Sequence, residues 1–166
     1  MRFSQRWAAA CLRASVLLVA AGIAYTADVS APVPFPAEYR QWAVTRSMVV
    51  GPDNKNFANN GGFHHYYANE KAVLGFRTGH FPDGSVVVDE RLEVHEEAGA
   101  TLEGPRKSVA VIDKDVTRYK DTGGWGFDVF AGEDRTQGAS SSVRGACFSC
   151  HNQRKDHDFI FSEFRK

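Results

Sequence analysis

The sequence predicts an α+β domain, mainly an antiparallel β-sheet with short helices, the last of them close to the C-terminus. Three observations carry this expectation. Short alternating runs, punctuated by Gly, Pro, Asn and Asp, recur through the middle of the chain. Residues 50–135 hold no long segment of helical period. One stretch, 70–78, is bracketed by both a start and a stop signal for a short helix. There are no internal repeats, so the sheet and its helices form one unit.

Taken in order, Ala31-Pro-Val-Pro-Phe-Pro36 is a stiff, extended lead-in, and Pro36 suits the opening of a helix. Tyr39, Trp42 and Ala43 recur at helical spacing and predict a helix over 37–48, with Met48 closing its apolar face. Residues 51–62 are rich in Gly, Asn and Asp and read as a loop. Residues 63–68 predict a strand, with Phe63, His65 and Tyr67 on one face and His64 and Tyr66 on the other. Asn69 is a good N-cap and Gly79 a good C-terminal stop for the helix between them. After the Phe81-Pro-Asp-Gly84 turn, residues 85–94 alternate, with Val86, Val88, Leu92 and Val94 opposite Asp89 and Arg91. Residues 107–113 and 125–131 are further strands, and 132–145 reads as a polar loop into a last helix.

The chain has 166 residues, 43% hydrophobic and 12% aromatic, enough for one domain with a core and too short for a large multidomain enzyme. Its 20 basic and 20 acidic side chains balance, which excludes a nucleic-acid binder of the basic-stripe kind. The balance is uneven. Residues 1–27 hold Arg2, Arg6 and Arg13 and no acid, leaving 17 basic and 20 acidic groups from residue 28 onward. Those arginines, the apolar run from Ser15 to Ala24 and the small residues after it predict a cleaved signal peptide, cut near residues 24–27. The apolar run is shorter than the ~20 residues a spanning helix needs, so no membrane span is expected in the mature chain over 28–166. Cys11 precedes the apolar run, which excludes a lipoprotein signal. The expected location is the periplasm.

Removal of the leader leaves Cys147 and Cys150, two residues apart and followed at once by His151 in Cys147-Phe-Ser-Cys-His151. On a helix, positions i, i+3 and i+4 share a face. Two thiols on that face can add across the vinyl groups of a haem, and the imidazole beside them can reach its iron as the proximal ligand. The expected cofactor is one covalent haem c, with Cys147 and Cys150 as thioethers and His151 on the iron. A structural zinc site needs four ligands, normally from a second such pair, and the mature chain holds no other cysteine. A redox dithiol belongs at a helix start within a strand–helix–strand unit, whereas this motif lies sixteen residues from the end.

A late haem motif on a β-rich domain resembles the cytochrome P-460 family and its relative cytochrome c′-beta. The resemblance covers about residues 36–164 and rests on Pro36-Ala-Glu-Tyr-Arg-Gln-Trp42, Tyr67-Ala-Asn69, Phe76-Arg-Thr-Gly79, Phe81-Pro-Asp-Gly-Ser-Val-Val-Val88, Gly124-Trp-Gly-Phe127 and Cys147-Phe-Ser-Cys-His151. It implies a β-rich c-haem fold, often a homodimer, with five-coordinate iron and an open distal face. It also implies small nitrogen ligands: hydroxylamine and nitric oxide for cytochrome P-460, nitric oxide for the c′-beta branch. One departure matters. Where the family's cross-linking lysine stands after the turn, this chain has Asp89, and a carboxylate cannot form that amine-to-carbon bond. Lys71, on the preceding helix, does not match the motif.

The other histidines have ordinary explanations. His64 and His65 sit on a predicted strand near the core, where either can approach a distal site. His80, His95 and His157 fall in turns, a strand end and a charged stretch, and are expected at the surface. Arg77 suits a haem propionate and equally an exposed helix end. Two functions remain: an open site that binds or oxidises nitric oxide or hydroxylamine, and an electron carrier with both axial positions filled that meets a redox partner protein. The lack of an obvious second ligand favours the first.

Overall fold

The structure, a computed structural model, describes residues 31–164. The leader expected over 1–27, with Cys11, lies outside the described residues. Five strands, β1 (Ala43–Val50), β2 (Gly62–Ala68), β3 (Val86–Glu97), β4 (Ala100–Lys114) and β5 (Trp125–Ala131), form one sheet in the order of the chain. Every neighbouring pair is antiparallel. The helices are α1 (Phe57–Asn60), α2 (Glu70–Thr78) and α3 (Ser141–His151), with 3-10 turns at Tyr39–Gln41, Lys120–Thr122 and Asn152–His157. Among the described residues no helix is long and apolar enough to cross a membrane.

The helix expected over 37–48 is not there. Its first positions make a single 3-10 turn, closed by the Trp42 amide donating to the Tyr39 carbonyl at 3.0 Å, and the chain then extends as β1. The run Val44-Thr-Arg-Ser-Met-Val-Val50 is rich in β-branched residues, and pairing with β2 outweighs three residues at helical spacing. The expected loop 51–62 contains the one-turn α1.

By contrast, α2 matches its bracketing residues. The Asn69 Oδ1 accepts from the Ala72 amide at 2.9 Å, and Gly79 turns left-handed at φ 77°. Strands β3 and β4 run beyond their expected ends because they form one long hairpin. Ala98 and Gly99 close it with φ of 50° and 82°, the double positive turn that matches strand twist. Val94, expected on the core face, lies on the projecting part of this hairpin and is exposed.

Both faces of the sheet are covered. On one, Val88, Val109, Val111 and Phe130 pack with Val33, Phe35 and Tyr39 of the N-terminal lead-in. On the other, Ala68, Val87, Phe127 and Trp125 pack with Ala72 of α2 and with Cys147 and Phe148 of α3. The pairing register shows which side chains share the α3 side. Ala68, Val87, Ile112 and Phe127 form one row across the sheet. Two residues further along each strand, Tyr66, Asp89, Ala110 and Val129 form the next row on that side, and His64 and Arg91 follow. Met48 of β1 is opposite His64 and Arg46 opposite Tyr66, so both belong to the α3 side.

Candidate haem site

Helix α3 begins at Ser141, inside the stretch expected as loop. Ser and Gly residues lower its local propensity, and tertiary contacts override them. Asp128 of β5 accepts from the Ala139 amide at 2.7 Å, and Arg144 lies 3.6 Å from its other oxygen. The helix start is thus fixed to the sheet. Because Cys147, Cys150 and His151 all fall in regular helix, the i, i+3, i+4 argument applies to them directly.

The two thiols are free rather than joined to one another, Cys147 half-buried and Cys150 exposed. Burial pushes the Cys147 thiol up, and the Arg91 guanidinium on the facing sheet surface acts against it. His151 is held between two rings, with Phe127 5.0 Å and Phe161 5.1 Å from it, centroid to centroid. Its Nδ1 lies 2.6 Å from the Phe159 carbonyl oxygen. A carbonyl can only accept, so Nδ1 carries the proton and Nε2 keeps a lone pair. Burial holds the imidazole below its ordinary pKa, offset in part by that hydrogen bond, which favours the neutral ligand form.

Facing α3 across the sheet is a chain of polar groups that sequence reasoning did not assemble. His64, almost wholly buried, has Nδ1 2.8 Å from Asp89 Oδ1 and Nε2 2.7 Å from the Asn60 carbonyl. Arg91 Nε donates to the other Asp89 oxygen at 2.8 Å. Tyr66 lies on the same side, its hydroxyl pushed up to about 12 by burial and by Asp89, so it keeps its proton. Parity along β2 and β3 was the available signal, since His64 and Asp89 both alternate away from the Val88 core.

The remaining sequence expectations separate cleanly. His65 is on the far face of the sheet from α3, bonded to Ser47 at 2.7 Å and Glu103 at 2.6 Å. Met48 is on the α3 side and lines a cavity of about 430 Å³ with Arg46, Ser47, Glu163 and Phe164. It therefore closes no helix face, contrary to expectation. His80, His95 and His157 are exposed, as expected. Arg77, at the exposed end of α2, lies over the Phe164 ring, and Lys71 donates to the Asp83 carbonyl at 2.8 Å. Among the described residues, no three His, Cys, Asp or Glu side chains come together to hold a bare metal ion.

A family model, cytochrome P460, matches residues 36–162 and so spans the sheet, α2, α3 and the segment after it. The chain belongs to the cytochrome P460 family. That membership makes it a c-type haem protein and agrees with a five-stranded antiparallel sheet followed by a late helix. No curated protein matches the chain. The residues present fit a haem: two free thiols one helical turn apart, a neutral imidazole with a free Nε2, and aromatic walls from Phe127, Phe148 and Phe161.

Proposed function

We propose that this cytochrome P460 family member is an exported protein with one haem c, held by Cys147 and Cys150 as thioethers and by His151 as proximal ligand. Its distal face is open and takes a small nitrogen species, nitric oxide or hydroxylamine. The observation that carries the reading is the fixed tautomer of His151, whose Nδ1–H is committed to Phe159 while Nε2 is left for iron. Export is inferred from the arginine-led apolar leader, and the periplasm is the inferred destination.

The haem supplies an iron that binds a diatomic ligand and exchanges an electron. The chain's own residues orient and insulate it. Phe127 and Phe161 pack against the His151 ring from two directions and fix its plane. His64 shares the α3 side, but both of its nitrogens are engaged, Nδ1 with Asp89 and Nε2 with the Asn60 carbonyl, so neither is free as an axial ligand. Asp89 itself, gripped by His64 and Arg91, supplies no amine for a macrocycle cross-link. Ligand binding is therefore favoured over rapid hydroxylamine turnover.

A second reading, an electron carrier, takes Met48 as its candidate second ligand, because Met48 shares the α3 side of the sheet. Ferric and ferrous absorption spectra with and without nitric oxide separate the two. The proposal expects high-spin, five-coordinate iron that binds nitric oxide readily when ferrous. A low-spin spectrum in both states, unresponsive to nitric oxide until Met48→Ala is made, overturns it in favour of electron transfer.

A further inference from the structure

The hydrogen bond that sets the His151 tautomer ends on a carbonyl in an unusual backbone. Asp158 and Phe159 both adopt positive φ, 50° and 64°, and neither is glycine. A bulky residue such as Phe holds this conformation only where its surroundings force it. The ring of Phe159 occupies the space beside Gly123, where an added Cβ would come within 2.4 Å of it. On the helix side the same ring stacks on Phe148, 6.3 Å away.

The side chain just before the strained carbonyl is the anchor. Asp158 Oδ1 accepts from Lys114 Nζ at 2.6 Å and from the Trp125 indole at 3.0 Å. Its Oδ2 accepts from the Phe81 amide at 3.0 Å. Burial pushes this carboxyl up, but the three donors outweigh burial and hold it below its ordinary range. Lys114 closes β4, Trp125 opens β5 and Phe81 follows α2, so one carboxylate joins the segment after α3 to three parts of the fold. His80 also faces it, 4.0 Å away and exposed.

We propose that Asp158 is the positioning residue for His151: by fixing its own left-handed turn to Lys114, Trp125 and Phe81, it aims the Phe159 carbonyl at Nδ1 and sets the basicity of the ring. The inference rests on the assignment of His151 as proximal ligand. Among the described residues Asp158 makes neither a hydrogen bond nor an ion pair with the imidazole, so its influence runs through the backbone. A loosened carbonyl lengthens the Nδ1–H···O hydrogen bond to Phe159 and leaves the imidazole a poorer donor to iron.

The test uses the full haem-loaded protein and the iron–histidine stretching band of its ferrous state by resonance Raman, with the midpoint potential beside it. Asp158→Asn keeps volume and loses charge and acceptor capacity. It is expected to retain stained, covalent haem, move the band to lower wavenumber and raise the potential. Lys114→Met, which leaves Asp158 two of its three donors, is expected to shift both in the same direction by less, and it decides the matter if Asp158→Asn does not fold. A band and potential unchanged in a folded variant overturn the proposal. His151→Ala separates this failure from the other: if that variant leaves the iron–histidine band in place, the ligand assignment itself is wrong.

Discussion

His151 carries one proton, on Nδ1, and the rest of the haem assignment follows from that and from the two thiols on its helical face. Haem should stay with the chain on a denaturing gel and stain for peroxidase activity. Replacing both Cys147 and Cys150 by Ala should remove the stain, and covalent haem in that double variant would sink the assignment. His151→Ala should keep the haem attached and lose the iron–nitrogen bond. At position 89 the expectation is a normal macrocycle: an intact mass of the cleaved chain plus one haem, and an alkaline pyridine spectrum of ordinary c type. A strongly red-shifted ferrous Soret band would show another side chain joined to the ring. The proposed roles are legible in the sequence because thioether chemistry demands a local spacing. The Phe159 carbonyl was not, because no side chain announces a backbone acceptor eight residues away.

At the scale of elements, α2 was legible because both of its ends are local signals, and its cap does more than cap. Asn69 Oδ1 accepts from Val86 as well as Ala72, and its Nδ2 donates to the Gly84 carbonyl at 3.0 Å. The side chain therefore ties the helix start to β3 and to the turn before it. Asn69→Ala should cost about 2–3 kcal/mol, above the ~1 kcal/mol of a simple N-cap, and chemical denaturation checks it. An effect below 1 kcal/mol would mean that water replaces these bonds. The segment around β1 was misread for the opposite reason. Tyr39, Trp42 and Ala43 are spaced for a helix, yet the partner strand that makes 43–50 extended is supplied only by the fold.

Across the whole molecule, two carboxylates, Glu90 buried and Asp158 half-buried, hold opposite faces of the sheet to what covers them. Glu90 accepts from the Tyr39 hydroxyl at 2.7 Å and the Tyr67 hydroxyl at 3.3 Å, and pairs with Arg40. Burial pushes Glu90 up, but Arg40 and the two tyrosines bring it below its ordinary value, as the donors around Asp158 do there. A carboxyl with a lowered folded pKa stabilises fully above its unfolded value, ~4, and loses that contribution as pH falls through the folded value. In that window the unfolded chain binds more protons, so stability rises with pH. Thermal melts between pH 3 and pH 7 should show this slope, and Glu90→Gln should flatten part of it. A slope unchanged in Glu90→Gln would assign the acid sensitivity to other groups.

The haem motif, the α2 bracket and the period-two strands are local patterns, and the sequence by itself determined them because their chemistry acts within one turn or one strand. Which face each strand turns to α3 depended on long-range pairing. That pairing put His64, Asp89, Arg91 and Met48 on the α3 side and sent His65 to the other. The setting of His151 was decided in the same way, by a strained turn anchored from residues 77, 44 and 33 positions away in the chain. Such contacts leave no periodicity to read, because the distance that governs them is in space and not along the backbone.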